Sequence, residues 1–545
     1  MSNITKQTKT KDEQTRQELL QGRPLKVQLK IAFPLLLYSA VSLAFQFFDT
    51  LTVANIDQSM VSIVLLVSDI QMMFNLIFVS ISIGIGIRIS RHFGANDRKA
   101  ISEDVSTVFF FTVMLSAAIL IICILFSKQI MQLVGFPLEL RSLGQIYFSL
   151  NIIGILFSSI NTIYFACEKA RGNTRIVSLC NTYILAMKVL LNYIVLLLIR
   201  NGTFDTSASA YLLPIVSCIS FGSVAIVSLK GFLNKNSILK VSWKDVRFDK
   251  KFFIPFFTLI FPITIEKALT QMSKVICNSL YGVFGSIGLA AFACFGRISS
   301  LYATLLTAFQ DSETTLISAN LGNQQYDRVN KIIKDSALLT GAVGTVLFTI
   351  IAVFSKTLIG YFSKGDPMLA KYIYDIYSVQ RWDFLFVIID HVCTGYLYSI
   401  KKAKFISLVN FVKLFLIRIP LFIILTRYLN AGIEAIGIVI LVSNAIDGII
   451  TYFIYLKNKK EFDKQVKKES DSNERLLMAI RSLAAYDVFD SNIINDKNAV
   501  PTEVLGIMKE NYQASLNDEE LIEAYRYALI EARIDELEKE ERVYI

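Results

Sequence analysis

Charge is scarce in this chain. Asp, Glu, Lys and Arg make up 18% of its 545 residues, where a soluble domain carries about 25%, and 54% is hydrophobic with a mean hydropathy of +0.51. Several functional motifs are missing too. No GxxxxGK(S/T) phosphate loop occurs, which argues against nucleotide-driven pumping by this chain. The seven cysteines (Cys123, Cys167, Cys180, Cys218, Cys277, Cys294 and Cys393) lie in or at the ends of apolar runs and form no CxxC pair. They are expected as small packing residues, not as a metal or disulfide framework. The opening MSNITKQTKTKDEQTRQELLQGR is polar and lacks a small-residue cleavage site, so the first apolar run is expected to stay in the mature protein. No catalytic triad or metal cluster is legible, and no enzyme activity is expected.

What the chain does have is long apolar runs. A helix crossing the roughly 30 Å hydrocarbon core needs about 20 apolar residues. Such runs recur at 28–53, 61–87, 104–126, 145–167, 176–199, 208–229, 252–283, 287–310, 335–354, 372–399, 405–427 and 434–456. They are too long for the alternating strands of a transmembrane barrel. The expected fold is an all-α polytopic membrane protein with twelve transmembrane helices. With the N-terminus inside, the five inner loops hold about twenty Lys and Arg and the six outer loops about seven. Both termini are therefore expected in the cytoplasm, with the chain in the plasma (inner) membrane. The net charge of +10 does not imply a nucleic-acid partner. Residues 461–545 carry 11 Lys and Arg against 20 Asp and Glu, so the excess positive charge lies largely in the inner loops, where anionic membrane lipid is the natural partner.

The chain also repeats itself at about 228 residues. FPLLL with Pro34 and HFGANDRKA with Gly94 reappear as FPITI with Pro262 and ANLGNQQYDRV with Gly322. RIVSLCN (175–181) matches KFISLVN (404–410), and Pro137 and Tyr147 match Pro367 and Tyr377. Six spans per half return the chain to the same side, so the halves are parallel repeats about an axis along the membrane normal. The expected organisation is an N-terminal tail (1–24), a six-helix lobe (25–230), a basic linker (231–251), a second six-helix lobe (252–460) and an acidic helical extension (461–545).

These features together resemble the multidrug and toxic compound extrusion (MATE) transporters, within the wider group that includes polysaccharide and lipid flippases. The resemblance covers about residues 25–460. It rests on Pro34 followed by Asp49, on the Gly-Ala-plus-basic loop after the second span, on the turn Arg171-Gly172-Asn173-Thr174-Arg175, and on Pro262, Gly322 and Arg418 in the second half. It implies two lobes around a V-shaped cavity and export driven by a proton or sodium gradient, with no bound cofactor. The inner-loop signature of the major facilitator group is not matched by GIRISRHFGANDRK.

Charges inside the membrane are costly, about 2.5–3.5 kcal/mol at a helix centre on insertion scales, and point to function. Asp49, beside Gln46, stands where the resemblance implies a cation- or proton-binding acid. Lys188 and Asn192 share a face of the fifth span. Lys188 departs from the family's usual Asn and suggests a pair with Asp49. Glu266 matches the acid that follows the seventh-span proline in the family, and Lys267, Gln271, Lys274 and Asn278 form one polar stripe. Asp383 and Asp390 share a face of the tenth span, and His391 beside Asp390 suggests proton relay. These acids, with Lys188, Asn192 and His391, are the candidates for the coupling ion or proton. Gln46, Asn75, the seventh-span stripe, Arg297, Tyr396 and Lys413 are the substrate-cavity candidates. Asp69 and Asp447 are candidate partners for the buried positive charge. A cavity with so many cations favours an anionic, zwitterionic or peptide-like small molecule.

The acidic extension reads as two helices, one over 467–489 and one opened by Asn517 with Glu520. It suggests a cytoplasmic protein partner or self-association. Two alternatives to an exporter stay open here: a flippase for a lipid-linked saccharide or other amphiphile, and a membrane scaffold or sensor acting through the tail.

Overall fold

A computed structural model describes the chain except residues 1, 55–57, 134–140, 235, 364 and 487–545, and the side chains of 2–11, 43–62, 65–66, 69, 133, 206 and 468–486. It forms two units, Met1–Tyr455 and Leu456–Ile545. Every regular element among the described residues is helical. The helices are α1 (Ser2–Gln21), α2 (Pro24–Ala54), α3 (Gln58–Gly94), α4 (Arg98–Leu125), α5 (Ser127–Leu133), α6 (Arg141–Ala170), α7 (Thr174–Arg200) and α8 (Ser209–Leu233). The second half holds α9 (Lys250–Tyr281), α10 (Gly285–Gly322), α11 (Tyr326–Ser363), α12 (Pro367–Gln380), α13 (Phe384–Ser399), α14 (Ala403–Phe411), α15 (Ile419–Ile423) and α16 (Glu434–Tyr486).

Among the described residues, ten stretches are long and apolar enough to cross a membrane. One of them, Lys250–Gly322, contains both α9 and α10. A further crossing is made of α12 and α13, two helices each too short alone and joined by a 3₁₀ turn at Arg381–Asp383. Twelve crossings result, arranged as two six-helix pseudo-symmetric lobes. Their outer faces carry exposed Met114, Leu125, Leu179, Val353 and Phe453, the surface that lipid covers and water would not tolerate. The seven cysteines are free thiols.

The repeat is visible in the backbone. The left-handed residue after α3, Asn96 (φ 60°), is matched by Gln324 (φ 55°) after α10. Gly172 (φ 82°), between α6 and α7, is matched by Lys401 (φ 61°), between α13 and α14. Acids that cap helix N-termini fix where the chain re-enters: Asp97 accepts from Ala100 N, Asp249 from Phe252 N, and Asp366 from Met368 N and Leu369 N. The linker after α8 does not hang free. Ser102 Oγ donates to Asp245 (2.7 Å), Ser106 and Thr107 hydroxyls accept from Ser242 N and Arg247 N, and Arg247 pairs with Glu103 at 2.7 Å. It is thereby strapped to α4.

The described contacts between lobes gather in the half of the molecule nearest the basic loops. A Cβ on Gly94 would fall 1.9 Å from Ala319 O, and one on Gly322 would fall 1.9 Å from Arg91 O. The two backbones therefore cross in contact, each glycine making room for the other helix. Gln28 bonds Ser336 (3.0 Å), Arg91 donates to Ser399 O (3.3 Å), and Arg88, held by Asp104, lies 4.7 Å over the Phe252 ring.

One region differs from the sequence expectation. The N-terminal segment is not a plain tail: α1 packs across both lobes at this basic end. Arg16 donates to Phe93 O and Gly94 O and to Asn323 Oδ1, Asp12 pairs with Arg171 at 2.8 Å, and Leu19 O accepts from Asn320. Its polar residues are hydrogen-bonding partners for helix ends, so they give no apolar signal in the sequence. The helix expected over 467–489 is present to Tyr486, as part of a single helix, α16, that starts at Glu434. The second tail helix expected from Asn517 lies outside the described residues.

Candidate functional site

Glu266 is 6% exposed on α9, nearly five turns beyond the N-cap Asp249. Its Oε1 accepts from Lys267 Nζ at 2.9 Å and its Oε2 from the Tyr398 hydroxyl of α13. Lys267 also feels the charges of Asp311 and Asp390. Thr394 Oγ1 donates to Asp390 (3.3 Å), which lies in the fields of Asp447, Lys413 and Glu266. Lys413 Nζ pairs with Asp447 at 2.8 Å, with 17% and 6% of the two side chains exposed.

The eleventh span reaches this network because it is not a plain α-helix. Residues Val412–Arg418 and Ile424–Tyr428 are π-helical. The wider turns, which recur at functional sites, present Lys413 and Arg418 to one face of α16. Arg418 bonds Ser443 Oγ and Asn444 Oδ1. Asn444 Nδ2 in turn donates to Asp383 at 2.6 Å. Asp383 sits in the 3₁₀ break of the tenth span, fully buried, and also accepts from Tyr302 (2.8 Å) and Gln380 (2.8 Å). The break thus turns a carboxylate into the lobe where three neutral donors hold it.

A small cavity of about 100 Å³ lies where the lobes meet, lined by Ser90, Lys169, Lys267, Gln310, Asp311 and Tyr398 among others. Lys169 of the first lobe pairs with Asp311 of the second at 2.8 Å. The α9 stripe climbs away from it: Lys267 and Gln271 are half-buried, Lys274 and Asn278 exposed. The site therefore presents acids and ammonium groups as pairs.

The structure brings together Glu266, Lys267, Asp390 and Lys413, and Asp447 partners Lys413 as expected. Asp383 forms its own cluster one step along α16. His391 corrects the relay expectation: its Nδ1 bonds Val387 O (2.8 Å) one turn back, and among the described residues no hydrogen bond joins it to Asp390. Adjacency in sequence pairs Glu266 with Lys267, whose long stem folds back, but the short His391 ring turns to its own helix backbone instead. Tyr396 is a second correction. It is 0% exposed and packs edge-on to Tyr455 (5.2 Å), a core residue and not a cavity wall. Arg297 is exposed, Asn75 and Lys188 half-buried and Asn192 buried. The side chains of Gln46, Asp49 and Asp69 lie outside those described, and with them the Lys188–Asp49 pair. The sequence reading missed Asp311 because it ended the eighth span at residue 310, whereas α10 runs on to Gly322.

Two parallel-repeat helical lobes around a polar chamber define a secondary transporter. The MatE family model matches residues 34–194 and 262–424, and the chain belongs to that family. A curated relative is the probable multidrug resistance protein YoeA of Bacillus subtilis (strain 168), 22% identical over 401 residues, which cover 71% of this chain and 85% of that protein. Among solved structures, the Vibrio cholerae MATE transporter VcmN superposes with a TM-score of 0.73 at 17% identity, over 82% of this chain and 98% of the other. A transporter from Pyrococcus furiosus Vc1 (DSM3638), assigned to the MOP superfamily, does so with a TM-score of 0.73 at 14% identity, over 81% and 97%. It is described as having a binding pocket of reversed polarity that suggests a different function.

Proposed function

We propose that this MATE-family efflux transporter exports a zwitterionic or peptide-like small molecule by proton-coupled alternating access, with the basic end facing the cytoplasm and the chain in the plasma membrane. The observation that carries this reading is the second-lobe network of Glu266, Lys267, Tyr398, Asp390, Lys413 and Asp447. Glu266 and Asp447 are buried and Asp390 half-buried, and their partners are hydrogen-bond donors and ammonium groups, so a proton is the natural species to redistribute within the network. Opposite charges in pairs suit a ligand that carries both signs, since each ligand group displaces one partner of a pair. The lobes meet at the basic end, so the chamber is closed on that side, and separation at the α3–α10 crossing is the movement that opens it.

A flippase for an anionic amphiphile is a second reading, favoured by Lys169, Lys267 and Lys413 and in keeping with the reversed-polarity pocket described for the P. furiosus neighbour. The pairing of each lysine with an acid weighs against it. Thermal-shift titration of purified protein with cationic, zwitterionic and anionic compounds separates the two. Stabilisation by zwitterions, weakened in Lys267→Gln, supports the exporter. Stabilisation by anionic amphiphiles alone supports the flippase.

A further inference from the structure

Glu313 takes no part in the network above. It lies on α10, 0% exposed, and among the described residues neither carboxylate oxygen has a hydrogen-bond partner. The wall opposite is Gly395 of α13, where a Cβ would lie 2.9 Å from Glu313 Oε2. The glycine makes the space this side chain fills. Thr314 Oγ1 donates to Gly395 O (3.2 Å) and Ser399 Oγ to Thr314 O (3.3 Å), which sets the spacing of the two helices.

The titratable group facing Glu313 is the Cys393 thiol of α13. Neighbouring charges are engaged elsewhere. Asp311 holds Lys169, Asp390 accepts from Thr394, and on α9 Glu266 holds Lys267. Among the described residues of α2, α3, α11 and α12, no charged side chain interacts with it. An ionised carboxylate without partner or water costs several kcal/mol. A residue of this kind persists in a folded protein as the neutral acid. Gln310 and Thr314, on the adjoining faces of α10, line the cavity at the lobe junction, so water admitted there is one helix-width from the carboxyl.

We infer that Glu313 is a proton-binding site that links protonation to closure of the basic end. In the closed state the carboxyl keeps its proton. When α10 parts from α3, water enters the seam, Glu313 gives the proton to that water, and the carboxylate is solvated. By reciprocity, closing the lobes takes a proton up. This inference rests on the transporter reading and adds a titrating group to it.

The test uses full-length protein in lipid nanodiscs. Infrared difference spectra between acid and alkaline pH should contain a protonated-carboxyl carbonyl band that is lost in Glu313→Gln and kept in Glu266→Gln. The distance between labels at the exposed Lys99 and Lys331, one on each lobe, should lengthen at alkaline pH in the wild type. It should stay short in Glu313→Gln and still respond in Glu313→Asp. An unchanged band and an unchanged distance response in Glu313→Gln would overturn the inference and leave coupled efflux standing. The reverse pattern, a Glu313 band with no coupled flux in the wild type, would overturn the efflux reading and leave the site.

Discussion

Glu266 has both oxygens committed, one to an ammonium and one to a phenol. Replacing it with Gln leaves Lys267 without its countercharge. Breaking a fully buried pair costs about 3–5 kcal/mol. Lys267 is 31% exposed, so a discounted loss of about 1–3 kcal/mol is expected here, read as a lower denaturation midpoint. Tyr398→Phe removes one donor and should cost about 1 kcal/mol. A second residue-scale prediction concerns Lys401, in the loop after α13. Its ammonium is pushed down to about 8 by partial burial and then by the Arg91 and Arg88 guanidiniums, although its stem reaches solvent. Below that value Lys401 is charged in both folded and unfolded chains, and the repulsion is fully present. Between there and the unfolded value of 10.5 the unfolded chain binds more protons, so stability rises with pH. Lys401→Asn, which tolerates the left-handed backbone, should raise the melting temperature at neutral pH and lose that advantage by pH ~10.

At this scale the sequence was readable where charge stands inside an apolar run, as for Glu266, Lys267, Asp390 and Lys413. It was silent where the partner's identity depends on helix phase. Nothing in IIDHVC distinguishes an Asp-His relay from two side chains pointing apart, and nothing in the tyrosine-rich tenth span marks Tyr398 as a ligand of Glu266 and Tyr396 as core.

Among the elements, the α3–α10 crossing governs how the lobes meet. Gly94→Ala or Gly322→Ala would set a methyl against a facing carbonyl, and overpacking of this kind costs about 1–3 kcal/mol. Only the closed state has the clash, so each variant should shift the population towards separation at the basic end, by about 10-fold for 1.4 kcal/mol. Inter-lobe distance measurement would show it. The strap formed by α1 acts the same way. Arg16→Ala removes bonds to α3 carbonyls and to Asn323 together, and a loss of about 1–3 kcal/mol of closed-state preference is expected. A distance distribution identical to wild type would contradict the strap. The glycine pair was legible as a repeat motif, because the same tight crossing is built twice. The role of α1 was not, since its partners come from the ends of α3, α6 and α10, far away in sequence.

Across the molecule, twelve crossings were legible from hydropathy alone, and their grouping into two lobes from the 228-residue repeat. The broken tenth span was not: Arg381-Trp382-Asp383 sits within an apolar run, and only Asn444 and Tyr302 folded against Asp383 explain why the helix tightens there. Of the positive charge that suggested an anionic, zwitterionic or peptide-like ligand, Lys169, Lys267 and Lys413 stand in ion pairs within the lobes' interior or at their junction. Wild-type protein should therefore handle compounds bearing both charges better than simple organic cations.

The most direct test of the account is proton flux. In proteoliposomes with an imposed proton gradient, wild-type protein should move protons when a zwitterionic or peptide-like compound is added, and Glu266→Gln and Asp390→Asn should lose that flux while remaining folded. Full substrate-dependent flux in both variants, or substrate efflux that ignores the proton gradient and follows sodium instead, would contradict proton coupling through the second-lobe network.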